Sequence, residues 1–257
     1  MQPVYTCHRV SGGPDWDRAP RSPRFVDMVS AEPAWFDTKA AMLWDKDNLY
    51  VKFWGDSPCI EARQTERDSL VFLESDFELF IDSGDAYYEF EINALNTVYE
   101  VFLIWQDAYG KFNPAEFSLT KRKALSFGGD ADRAGETFWR GTHPRGLRWA
   151  FLDYDFPGLE TSVTIDGHLN ERTKLSKSWS AEARFPWAGM KDLAAGRATP
   201  PRDGDIWRFF FGRFEKLQAG GKEISPHPAW CWTPHGVYDT HQPDSWTPIV
   251  FSTEPVP

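Results

Sequence analysis

The sequence predicts an all-β protein, an antiparallel β-sandwich with long loops and one short helical turn. Short runs in which apolar and polar residues alternate recur along the chain. Clusters of Gly, Pro, Asn and Asp separate them. Strand-like runs far outnumber helical ones, which favours a sandwich over an α/β architecture. The 257 residues suffice for one large sandwich. Residues 1–257 are therefore read as a single domain around a central hairpin, Phe77 to Trp105.

Residues 1–37 are rich in Pro, Asp, Ser and Arg and are expected to form an extension, edge strand or coil, lying against the sandwich. Thr38–Trp44 and Leu49–Trp54 read as a hairpin across the turn Asp45-Lys46-Asp47-Asn48, because Asp and Asn tolerate turn geometry. The polar stretch Pro58–Ser69 reads as a rim loop. Phe77–Asp82 and Tyr88–Asn93 carry apolar residues at alternate positions and Glu78, Glu89, Glu91 and Asn93 on the other face. That pattern predicts a sheet buried on one side. Val98–Trp105 is the next strand.

Residues 106–147 form an irregular insertion, with Gly128, Gly129, Gly135, Gly141 and Gly146 between single aromatics. It reads either as one long loop or as two short strands around Ala124-Leu125-Ser126. Leu147–Leu152 is a candidate strand, and Ser162–Asp166 pairs with Trp179–Phe185. Pro186–Leu193 suits a helical turn, since Pro is accepted at a helix start. Ile206–Glu215 is the last strong strand. The Pro-rich tail is coil until Ile249-Val250-Phe251 closes the sheet.

Composition narrows the partners. A formal net charge of -10 argues against nucleic acid and against an anionic membrane surface. It is compatible with a neutral sugar or with bound calcium. Core packing is expected for most of the 13 Trp and 20 Phe, and any ring left exposed is a platform for an amphipathic ligand. Cys7, Cys59 and Cys231 lack metal-ligand spacing and read as free thiols, with one disulfide as the lesser alternative. The first nine residues hold no apolar run of signal-peptide length, so a cytoplasmic location is expected, or a secreted one for a chain trimmed from a precursor.

Several stretches carry a resemblance. They include Leu43-Trp44-Asp45-Lys46-Asp47-Asn48-Leu49-Tyr50-Val51, Phe77-Glu78-Leu79-Phe80-Ile81-Asp82, Tyr87-Tyr88-Glu89-Phe90-Glu91-Ile92-Asn93, Trp179 to Trp187 and Trp207 to Glu215. Together they resemble the carbohydrate-binding module family 9-like proteins. The resemblance implies an immunoglobulin-like or DOMON-like sandwich, structural calcium, and a sugar held between aromatic rings with polar side chains on its hydroxyls. Glu78 matches the family's Glu, and Glu91 stands where the family has Arg, two before Asn93. The ring-stacking positions fall near Phe72 and near Tyr238 to His241, and the late polar position falls near Arg213.

The expected site therefore comprises Phe72, Trp179 and Tyr238 for stacking, Glu78, Glu89, Glu91, Asn93 and Arg213 for hydroxyls, and His241 at the rim. Its partner is a mono- or oligosaccharide, and no cofactor is required beyond structural calcium. Asp45, Asp47 and Asn48 are weak candidate calcium ligands, because a turn already accounts for them. Two alternatives stay open. Glu78 and Glu91 would serve a glycan hydrolase or lyase as general acid and base. Alternatively, the domain is structural and takes no small ligand.

Overall fold

The computed structural model describes residues 4–128 and 143–256. Its strands are β1 (Tyr5–Arg9), β2 (Val26–Asp27), β3 (Thr38–Trp44), β4 (Asn48–Asp56), β5 (Asp76–Asp82), β6 (Ala86–Asn93), β7 (Val98–Trp105) and β8 (Ala124–Phe127). They continue with β9 (Arg148–Phe151), β10 (Glu160–Asp166), β11 (Ser178–Pro186), β12 (Ile206–Phe214), β13 (Gln218–Ala219), β14 (Lys222–Glu223), β15 (Ala229–Cys231) and β16 (Thr247–Ser252). A single-turn helix, α1 (Lys191–Ala194), follows a 3-10 turn at Trp187–Met190, where the helical turn was expected.

One hydrogen-bonded ribbon runs β10-β11-β4-β3-β1-β16-β12-β5-β6-β7-β9-β8. It doubles over into two layers. Phe53 of β4 stacks on Phe77 of β5 with centroids 5.0 Å apart, and Phe185 of β11 meets Phe90 of β6 at 5.5 Å. The layers join where β1 lies parallel to both β16 and β3. These two parallel pairs depart from the purely antiparallel expectation. The 10–37 segment explains one of them, because a parallel neighbour needs a long crossover. It also places β1 inside the ribbon, not at its edge, so the N-terminal extension is part of the sheet.

Strand parity decides the interiors. Phe77, Leu79 and Ile81, with Tyr88, Phe90 and Ile92, point between the layers and are buried there. Each such side chain contributes about 1.5–3 kcal/mol by leaving water. The opposite face of β5, β6 and β7 was expected to be solvated. It is buried as well, along with most of those strands' residues. Met28, Val71, Tyr99, Trp105, Cys231 and Trp246 form a second apolar cluster over it. The Pro-rich tail provides much of this cover. Its β15 pairs with the end of β12, so the tail is not coil throughout.

In the 106–147 stretch the structure chooses a strand, since β8 pairs with β9. Residues 129–142, including Gly129, Gly135 and Gly141, lie outside the described residues. The three cysteines are unpaired. Among the described residues no helix is long and apolar enough to cross a membrane.

Candidate functional site

The outer face of the second layer carries a pocket of about 720 Å³. Its floor follows from register. Gly212, Glu78, Glu91 and Tyr99 lie opposite one another across β12, β5, β6 and β7. Phe80, Glu89 and Val101 make the next row. Gly212 leaves room in the first row, where a Cβ would come within 2.5 Å of the Phe210 ring.

Rings and aliphatic side chains wall this floor. Leu70, Phe72 and Leu73 stand at the 3-10 turn Val71–Leu73, with Phe72 edge-on to Tyr99 at 5.5 Å. Leu125 and Phe127 of β8 face the pocket with Tyr238 and His241 of the tail. Leu70, Phe72, Leu73 and Leu125 keep roughly two-fifths to half of their surface exposed and form an apolar rim. Tyr238 donates its hydroxyl to the His227 carbonyl at 2.8 Å, which fixes its ring.

The carboxyls on the floor are poorly compensated. Glu78 Oε2 and Glu91 Oε2 are buried without a hydrogen bond, as are both oxygens of neighbouring Asp76. Burial first, then repulsion from neighbouring carboxylates, pushes Asp76, Glu78 and Glu91 well above the usual carboxylate range; for Asp76 those neighbours are Glu215, Glu74 and Glu89. Burial also pushes Glu89 up to about 7, partly offset by a hydrogen bond with Glu91 and by Arg148. Near neutral pH Glu89 is thus shared between its protonated and ionised forms, so the floor offers a donor as well as acceptors.

His241 is held neutral by burial and by Arg148. It shares a 3.1 Å hydrogen bond with the Tyr87 hydroxyl. Arg148 reaches the Tyr87 hydroxyl at 2.9 Å and the His241 carbonyl at 3.1 Å. Asp239 also lines the pocket, but its two oxygens accept from the His241 N–H and from Gln242 Nε2.

The structure thus brings together Phe72, Glu78, Glu89, Glu91, Tyr238 and His241. It excludes three expected members. Trp179 lies between the layers, stacked on Phe77 at 4.1 Å. Arg213 pairs with Phe77 in register, so it points to the opposite face from Glu78. There it is fully buried, bonding Glu215 at 2.9 Å, Thr38 Oγ1 at 2.9 Å and the Asp56 carbonyl at 2.8 Å. Asn93 shares the parity of Glu91 but is spent locally. It donates to the Gln64 carbonyl and Glu74, and accepts from the Leu95 and Thr97 N–H groups.

Asp45, Asp47 and Asn48 do not fit a calcium ion. Asp45 Oδ1 accepts from the N–H groups of Asp47 and Asn48, its Oδ2 accepts from the Tyr50 hydroxyl, and Asp47 pairs with Lys46. The turn reading accounts for all three. Among the described residues, two other acidic groups are compact enough for a metal: Asp68, Glu100 and Asp155, and Asp76, Glu78 and Glu91. In the first, Arg67 already bridges Glu100 and Asp155, and Glu100 also accepts from the Tyr88 hydroxyl and the Phe156 N–H.

Sequence reasoning missed Tyr99, Leu125 and Phe127. Tyr99 had a usable signal, since parity on Val98–Trp105 separates it from Val98 and puts it on the carboxyl side. Phe127 had none, because a short strand beside an irregular stretch has no readable register.

No family model and no characterised protein matches the chain by sequence. Solved structures do share its fold. A Bacteroides uniformis protein to which carbohydrate binding is ascribed superposes with a TM-score of 0.60 at 11% identity, covering 98% of this chain and 100% of that one. A family 9 carbohydrate-binding module from Caldicellulosiruptor kristjanssonii, in complex with cellotriose, gives 0.53 at 13%, covering 98% and 95%. A glucose complex of such a module from the same organism gives 0.52 at 12%, covering 98% and 97%.

Proposed function

We propose that this domain binds a mono- or oligosaccharide in the outer pocket and does not turn it over. The observation that carries this is a hydrogen-bonding carboxyl floor beside an aromatic and aliphatic rim in one cavity. A sugar presents the same division. Its C–H face packs on a ring such as Phe72 or Tyr238, and its hydroxyls bond Glu78, Glu89 and Glu91. The shared fold with modules solved holding cellotriose and glucose supports the reading.

The layout disfavours a glycosidase. Glu78 and Glu91 are direct cross-strand neighbours and rise from one wall. Hydrolysis needs two carboxyls that flank the scissile bond from opposite sides. Asp239, across the pocket, is tied into its own turn. The test is calorimetric titration with a panel of glucose, cellotriose and xylo-oligosaccharides, with chromatography of the mixtures. Saturable binding without product, weakened at least tenfold in Phe72→Ala, is expected. Silence from every sugar would refute binding, and released product would refute the non-catalytic reading.

A further inference from the structure

The trio on the pocket floor poses a problem that sugar binding alone does not solve. Asp76, Glu78 and Glu91 are each at least nine-tenths buried. Their nearest carboxyl oxygens all lie within 4.8 Å of one another. Four of their oxygens find no hydrogen-bond partner. The charged groups that act on them are carboxylates, namely Glu74, Glu89 and Glu215 beside the trio itself. The Phe214 N–H lies near Asp76 and eases its proton off in part, but neither Asp76 oxygen closes a hydrogen bond. Arg213, on the adjacent strand, is committed to Glu215 on the other face. Uncompensated acidic groups in such a place are costly.

We propose that Asp76, Glu78 and Glu91 form a divalent-cation site at the base of the pocket, with calcium its preferred occupant. All donors are oxygens, which suits a hard cation and not zinc or copper. Oxygens around calcium sit 2.3–2.6 Å from the ion in flexible geometry, so three carboxyl oxygens within 4.8 Å of one another can share its shell. Magnesium at 2.0–2.1 Å demands a tighter, octahedral set. Three carboxyls supply up to six oxygens. Glu78 and Glu91 also line the pocket, so the ion's remaining positions face it. Water fills them in the free protein. If the carbohydrate reading holds, sugar hydroxyls take their place.

The experiment needs no sugar, so its failure and the failure of the carbohydrate reading are separable. Chelator-stripped protein is titrated with calcium chloride by calorimetry. One ion per chain is expected, with a raised melting temperature. Glu91→Gln and Asp76→Asn should each weaken binding at least tenfold, and Asp155→Asn, in the Arg67-bridged cluster, should leave it unchanged. Glu78→Gln replaces either trio variant that does not fold. Absence of calcium binding in the wild type, or unchanged affinity in the folded trio variants, would overturn the site.

Discussion

The long sheet has two interiors, and they treat buried charge in opposite ways. Between the layers, Arg213 is enclosed by Glu215, Thr38 and the Asp56 carbonyl. Gly55 gives it room, since a Cβ there would come within 2.5 Å of the guanidinium. On the outer face, Asp76, Glu78 and Glu91 are as deeply buried but leave four oxygens unanswered. A closed network holds a fold together. An open one, at the base of a cavity with a half-exposed rim, is where we propose that a ligand binds.

The sharpest way to break this contrast is to remove one member from each interior. Arg213→Met should cost about 3–5 kcal/mol in urea unfolding, because it leaves Glu215 buried and unpaired. Glu91→Gln should cost less than about 1 kcal/mol without divalent ions, or stabilise, because it relieves repulsion. Equal losses would erase the distinction.

The pH dependence comes next in size. Glu89 is raised from 4.5 to about 7 in the folded state. Between those values the folded chain binds more protons than the unfolded chain. This contribution to stability is therefore complete below about pH 4.5 and is lost as pH rises through about 7. Asp76, Glu78 and Glu91, also raised, act in the same direction. The shift in Glu89 corresponds to about 3 kcal/mol before screening and relaxation reduce it. Urea midpoints measured from pH 4.5 to 7.5, with divalent ions chelated, should fall, and Glu89→Gln should flatten the slope.

At the rim, Phe72→Ala should lower sugar affinity about tenfold, or ~1.4 kcal/mol, and leave the unfolding midpoint nearly unchanged. The smallest effect belongs to Asp47→Asn. Its side chain is exposed and, among the described residues, pairs with exposed Lys46. Calcium affinity should not move, and stability should change by less than about 0.5 kcal/mol.

The sequence made the strands readable because alternation over Thr38–Trp44, Phe77–Asp82 and Val98–Trp105 is strong and local. It also placed Glu78, Glu89 and Glu91 on one face, since parity within a strand needs no tertiary knowledge. It misassigned Arg213 and Trp179 because the face of one strand relative to another depends on register, which only the folded sheet sets. Asn93 has the right parity, yet the Gln64–Glu74 loop consumes it, and loop paths leave no periodic trace. Burial of the carboxyl face was hidden for the same reason. Its cover comes from a Pro-rich tail that reads as coil.

The central claim is that the outer pocket, and not the space between the layers, receives the ligand. Backbone amide NMR of the isotopically labelled protein, titrated with the sugar panel, addresses it directly. The account predicts shifts concentrated at Phe72, Glu78, Glu89 to Glu91 and Tyr238 to His241. Shifts centred on Trp179 and Arg213, or a spectrum that no sugar perturbs, would contradict it.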